Sequence, residues 1–397
     1  MPTPTYRTFQ QHLDAAVTPK RILAIDGGGI RGVLTVGILR EIETLLRERG
    51  GGDPNFRLAD YFDLIGGTST GAIIAAGLAL GMSVDEVHQH YLDLGKAVFK
   101  RSLLRLGVVR QKFDAADVSR ALKSVFGDRT LGSSDFKTGL MVMSKRLDTG
   151  SPWPLTNNPN ARYFGLRPNS RTIPNGEFPL WRVVRASTAA PYYFAPEMIQ
   201  ISKSDPARGL KAVDGEFVDG GVSTANNPAL QLLLTATTAG CKFGWQTGAD
   251  KLLIVSLGTG RASAEVGLSA GLKATSAAHA MRALASLMGD CSELVETIMQ
   301  WLSNSPTARD IDREIGAVTP TIAGGPLVSY VRYNVFFEPE WCRTSLGLEW
   351  SAKKLDELAQ MDEPDNMPAL DEIGRLAGSK LVQGAHFAPA FDRDVAR

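Results

Sequence analysis

The sequence predicts an α/β protein built on a mostly parallel sheet with helices on both faces. Two observations carry this. Short apolar runs end in glycine or lead into it near residues 21–25, 61–65, 216–218 and 251–257, the pattern of buried strands. Between them, apolar residues recur at spacings of three and four, the pattern of helices facing a core. Residues 21–25 form the first strand and run into Asp26 and three glycines. Residues 33–49 form the next helix, with Val33, Val36, Leu39, Ile42, Leu45 and Leu46 at helical spacing. Residues 61–65 read as the second strand. Residues 70–80 read as an Ala- and Gly-rich helix whose small side chains suit close packing on a sheet. Residues 85–130 read as amphipathic helix, 140–144 as strand, and 150–180, rich in Pro and Asn, as a long surface excursion. Beyond a boundary near residue 265, residues 270–303 and 351–388 read as helical, joined by a β-like stretch at 327–337. The expected organisation is a leader (1–19), an α/β core (20–265) and a helical C-terminal extension (266–397) continuous with the core.

Composition narrows the function classes. The 397 residues are 44% hydrophobic and 21% charged, which excludes a disordered chain and permits a large core. Lys and Arg number 43 against 42 Asp and Glu, so no basic excess points to a nucleic-acid partner. Cys241, Cys291 and Cys342 are too few and too scattered for a disulfide framework or a zinc site. A reducing cytoplasm fits them best. The N-terminus carries no apolar signal region, and the longest apolar stretch, residues 72–82, is shorter than the ~20 residues a membrane span needs.

The sharpest local signal is Gly67-Thr68-Ser69-Thr70-Gly71, a G-x-S-x-G pattern between an expected strand and an expected helix. That context places a serine hydroxyl on a tight turn at a helix N-terminus, where positive partial charge favours a developing anion. A serine nucleophile needs a base. Of the five histidines, only His386 lies where a Ser…Asp…His order expects one. The alternative is a carboxylate acting directly, and Asp219, at a strand end before Gly220-Gly221, is positioned for it. Acyl transfer also needs N–H groups aimed at the oxyanion. Asp26-Gly27-Gly28-Gly29-Ile30-Arg31-Gly32 suits this, with Arg31 adding positive charge. The same glycines also satisfy G-x-G-x-x-G, the dinucleotide fingerprint. Against that reading stand Asp26 beside the would-be pyrophosphate and the lack of a strand ending in an acidic residue ~20 positions on. Residues 279–301 place apolar side chains at mostly helical spacing. They fit an interfacial or acyl-lining helix, or a core helix pair broken at Gly289-Asp290.

Together these elements resemble the patatin-like phospholipases. The matching motifs, in order, are Asp26 to Gly32, Gly67 to Gly71, Ala186-Ser187-Thr188-Ala189-Ala190-Pro191, Asp219-Gly220-Gly221, Ala225-Asn226-Asn227-Pro228 and Ser256-Leu257-Gly258-Thr259-Gly260. The resemblance covers residues 20–262. It implies a three-layer α/β/α fold and a Ser69–Asp219 dyad with neither histidine nor metal nor cofactor. It also implies an oxyanion hole at Gly28 and Gly29, with Gly27 and Arg31 nearby. A second likeness joins residues 326–335 and the stretch from Met361 to Gly374 to the CapV-type, cyclic-nucleotide-activated bacterial phospholipases of anti-phage defence. It implies a cyclic dinucleotide activator such as cyclic GMP-AMP, a membrane phospholipid substrate, and a cytoplasmic protein peripheral at the inner face of the membrane when active. It further implies transient membrane-surface contact and ligand-driven homo-oligomerisation. Arg332 and Tyr333 are candidates to contact the nucleotide, since Arg pairs phosphate and Tyr stacks on a base. The rival readings are a constitutive esterase on neutral lipids and a silent nucleotide- or lipid-binding protein.

Overall fold

The computed structural model describes residues 6–98, 114–168, 170–262, 276–312, 314–318 and 324–392. The boundary expected near residue 265, and part of the helical stretch expected over 85–130, lie outside the described residues.

Among the described residues, a nine-stranded sheet organises the chain. β1 (Lys20–Ile25) pairs in parallel with β2 (Leu64–Thr68) and β7 (Leu252–Leu257). β3 (Gly139–Arg146) extends the parallel run beyond β2, and β10 (Val328–Tyr333) and β9 (Ser303–Asn304) extend it beyond β7. Three antiparallel strands complete it: β4 (Pro152–Thr156) and β6 (Val213–Asp219) on β3, and β5 (Glu197–Ser202) on β6. A separate pair joins β8 (Arg261–Ala262) to β11 (Phe336–Phe337).

All six residues of β1 are buried, as a strand covered on both faces requires. Its side chains alternate between two cores. Leu23 and Ile25 join a cluster with α2 (Gly32–Arg49), α3 (Thr70–Ala79), α4 (Val84–Val98), α5 (Ala115–Phe126), α6 (Leu180–Ser187), α10 (Ala352–Leu358) and α11 (Met367–Leu381). Ile22 and Ala24 face the other way, into a cluster with α1 (Phe9–Leu13), α7 (Ala229–Thr237) and α8 (Ser276–Trp301). The period-two alternation divides the helices into two layers around the sheet. α9 (Pro339–Trp341) is a single turn after β11.

Several elements depart from the sequence reading. The second strand begins at Leu64, three residues late, because Asp63 is held by a buried charge cluster. Its carboxylate meets Arg7 NH1 at 2.7 Å, His12 Nδ1 at 2.8 Å and the Arg21 backbone N–H at 2.8 Å. His12 and Leu13 of the expected leader are therefore buried. Residues 150–180 do not merely run over the surface: β4 pairs with β3, and Asn157 bonds the backbone of Leu140 and Thr138. α8 runs unbroken through Gly289-Asp290; a single interior glycine costs a helix only about 1 kcal/mol, and Val295 and Met299 anchor it in the core. The C-terminal residues complete the same sheet through β10, and α11 packs on α2 where Gly37 meets Gly374. A Cβ on Gly37 would lie 2.5 Å from the Gly374 carbonyl carbon.

Candidate active site

The site forms where β1, β2 and β7 end, the carboxyl edge at which open α/β sheets hold their ligands. β2 runs into Ser69, which adopts φ 56° and ψ −125° at the N-cap of α3, a conformation rare for a residue with a side chain. The flanking glycines make this turn possible. A Cβ on Gly67 would lie 2.1 Å from the Gly71 carbonyl oxygen, and one on Gly71 would lie 2.3 Å from that of Ile25.

The register of β3 explains why Ser69 meets Asp219. Residues 141–143 of β3 pair with both β2 and β4, and residues 144–145 pair with both β4 and β6. A strand has two edges, so β2 and β6 share one while β4 holds the other. Thr68 lies opposite Met143, and Asp219 lies opposite the next residue, Ser144. The two strands thus meet end to end, and Ser69 Oγ donates to Asp219 Oδ2 at 2.5 Å. Asp219 Oδ1 accepts from the Gly221 N–H at 2.7 Å. Burial pushes the Asp219 carboxyl up to about 6, against the opposing pull of the Ser69 and Gly221 bonds and the Arg185 charge. Arg185 is itself fully buried, with NH2 donating to Ala195 O at 3.0 Å and its guanidinium over the Phe194 ring.

The remaining motifs brace this pair. Ser187, at the end of α6, accepts from the Ser69 N–H at 2.9 Å and donates to Met143 O at 2.6 Å. The Asp219 N–H donates to Ala189 O at 3.1 Å. One short segment therefore fixes the backbones of both Ser69 and Asp219. Thr259 Oγ1, after β7, donates to Gly27 O at 2.9 Å. The Thr68 hydroxyl donates to Ala225 O at 2.6 Å.

Several groups of the glycine loop and its surroundings are already engaged. The Gly27 N–H is already committed to Asn226 O at 3.2 Å. The N–H groups of Gly28 and Gly29 meet no acceptor among the described residues. Arg31 turns its guanidinium to Ala359 O at 3.1 Å. Arg332 is not free for a nucleotide: it is buried, bonding Asp26 Oδ1 and Oδ2 at 2.9 and 2.6 Å and Ser256 Oγ at 2.7 Å. Tyr333 is buried too, its hydroxyl 2.8 Å from His386 Nδ1. That contact occupies His386, while the partner of Ser69 is Asp219. Ser187, Thr259 and Asn226 were visible as members of motifs, but nothing in the sequence showed which atoms they would bind.

A family model for patatin-like phospholipases matches residues 23–233, more than half of the chain. The chain belongs to this family. Its three-layer α/β/α architecture is the patatin-like fold. It is similar to a cGAMP-activated phospholipase of Vibrio cholerae, 31% identical over 219 residues that cover 53% of this chain and 55% of the relative. It is also similar to a cUMP-AMP-activated phospholipase of Escherichia coli, 34% identical, covering 55% and 59%. With Patatin-17 of Solanum cardiophyllum it shares 30% identity, covering 65% and 64%. The chain spans little more than half the length of the first of these relatives. The patatin-like match contains Gly27, Ser69, Ser187, Asp219 and Asn226. Thr259 and Arg332, which hold the glycine loop from the other side, lie beyond it.

Proposed function

We propose that the protein is a serine lipid acyl hydrolase that cleaves acyl esters of glycerophospholipids with a Ser69–Asp219 dyad. The observation that carries this reading is the 2.5 Å bond from Ser69 Oγ to the buried Asp219 carboxylate, on a backbone turn that holds the hydroxyl at the head of α3. Asp219 takes the proton of Ser69 as Oγ attacks the ester carbonyl. The tetrahedral oxyanion sits on the N–H groups of Gly28 and Gly29, the two donors that the loop leaves unused. The Ser69 N–H does not contribute, because Ser187 holds it. Collapse releases the lysolipid, which takes the proton from Asp219, and water then hydrolyses the acyl-enzyme.

The names of the bacterial relatives support a second level of the proposal: the enzyme is switched on by a cyclic dinucleotide and attacks membrane lipid in anti-phage defence. Neither Arg332 nor Tyr333 is placed to receive that nucleotide. Lipid contact is supported by α8, which exposes Leu287, Leu294 and Trp301 at seven-residue spacing along one face. Among the described residues no helix is long and apolar enough to cross a membrane.

The test is fatty-acid release from phospholipid vesicles by wild type, Ser69→Ala and Asp219→Ala, each with and without cyclic GMP-AMP and cyclic UMP-AMP. Release by wild type alone is expected, dependent on one nucleotide. Full release by either variant would sink the dyad. Equal release with and without nucleotide would keep the hydrolase and remove the switch.

A further inference from the structure

The side chain of Asn226 stands between the two loops that flank the dyad. A Cβ built on Gly27 would lie 2.6 Å from Asn226 Oδ1 and 3.0 Å from Ser69 Cβ. One built on Gly221 would lie 2.9 Å from Asn226 Oδ1 and 3.1 Å from Asp219 Oδ1. The same amide oxygen therefore borders the loop beside the nucleophile and the loop beside the base. It is buried and receives no hydrogen bond among the described residues, which leaves an acceptor that wants a donor.

The orientation of the amide is set from α8. Asn226 Nδ2 lies 3.3 Å from Ser292 Oγ and 3.5 Å from Gly27 O. A serine hydroxyl has one proton, and that of Ser292 goes to Met288 O at 2.9 Å. Ser292 can then only accept from Asn226. The NH2 group is turned to α8, and the oxygen is turned to the dyad. The neighbouring Asn227 serves the backbone instead, its Oδ1 accepting from the Ala229 N–H at the start of α7.

We infer that Asn226 Oδ1 is the second acceptor for the water that hydrolyses the acyl-enzyme, with Asp219 as the first. This rests on the Ser69–Asp219 reading. Once Ser69 Oγ carries the acyl group it has no proton to give, and Asp219 Oδ2 is released. A water can donate one hydrogen to that oxygen and the other to Asn226 Oδ1, which aims its lone pair at the acyl carbon. As the new C–O bond forms, the first proton passes to Asp219 and the carbonyl electrons move to the oxyanion. Collapse reforms C=O and breaks the bond to Ser69 Oγ, which takes the proton back from Asp219. The products are a free fatty acid and the starting serine. A neutral amide suits this place because a second carboxylate would oppose ionisation of Asp219.

The test separates acylation from deacylation. The full chain is compared as wild type, Asn226→Leu, Ser292→Ala and Ser69→Ala, with the two cyclic dinucleotides present. Pre-steady-state release of p-nitrophenol from p-nitrophenyl butyrate is read beside the rate of fluorophosphonate labelling of Ser69. Asn226→Leu is expected to label at close to the wild-type rate. It is also expected to give a burst of about one equivalent and then turn over about 10- to 100-fold more slowly, the rate equivalent of one lost hydrogen bond. Ser292→Ala, which only frees the amide to rotate, should show the same split in weaker form, and it stands in if the leucine variant does not fold. Labelling and turnover falling together in both variants, with no acyl-enzyme accumulating, would overturn the assignment in favour of a structural role. So would unchanged turnover. Labelling that survives Ser69→Ala would overturn the dyad itself, and this inference with it.

Discussion

At the scale of single residues the proposed chemistry depends on Asp219. It acts as a base only when ionised, and burial places its pKa near 6. The acid limb of kcat/KM should therefore lie near pH 6, against the ~4 of an exposed aspartate. The sign for stability follows from the same shift. The native state holds this proton to higher pH than the unfolded chain, so the contribution of Asp219 to stability falls as pH rises from about 4 to about 6 and stays low above that. Asp219→Asn should accordingly melt at a higher temperature than wild type at pH 8 while losing turnover, which thermal melts and vesicle assays on one preparation will check. Arg185 pulls the Asp219 pKa down, so Arg185→Met should move the acid limb to higher pH in a pH–rate profile. These values depend on burial, and the sequence carries no sign of burial at a single Asp-Gly dipeptide.

At the scale of elements, β1, β2, β6 and β7 and their glycine turns were legible because each combines a short apolar run with residues that only a tight turn demands, whereas β4 and β5 carry no such signal. Tyr61 and Phe62 are as apolar as a strand and carry the sequence pattern of β2 three residues too far upstream, while the buried charges around Asp63 that displace it come from residues far away in sequence. The edge that β2 and β6 share on β3 was not legible at all, since pairing between distant strands leaves no local pattern. Two contacts between elements give predictions. Ser187→Ala would leave the Ser69 N–H and Met143 O without their partner, at a cost of about 1–3 kcal/mol, and should lower kcat more than it raises KM; denaturant melts and vesicle kinetics read the two effects. Arg332→Met would strand the buried Asp26 carboxylate and should destabilise by about 3–5 kcal/mol. Adding Asp26→Asn should return much of that loss in the same melts, because the charge left unpaired is then gone.

At the scale of the whole molecule, the motifs around Ser69 and Asp219 lie on one carboxyl edge of a continuous sheet, and that sheet is finished by residues outside the patatin-like match. β10 brings Arg332 to Asp26, and α8 brings Ser292 to Asn226 while exposing Leu287, Leu294 and Trp301. The periodicity of α8 could be read from the sequence, but which of its faces meets the core depended on the packing of α7. If α8 is the face that meets lipid, replacing Leu287 and Leu294 together by serine should weaken cosedimentation with phospholipid vesicles and leave hydrolysis of a soluble butyrate ester intact. Whether Ser69, activated by Asp219, is the nucleophile is read most directly by fluorophosphonate labelling mapped by mass spectrometry. One adduct per chain is expected, on Ser69, formed far more slowly in Asp219→Asn; an adduct on another residue, or an unchanged rate in that variant, would overturn the Ser69–Asp219 dyad.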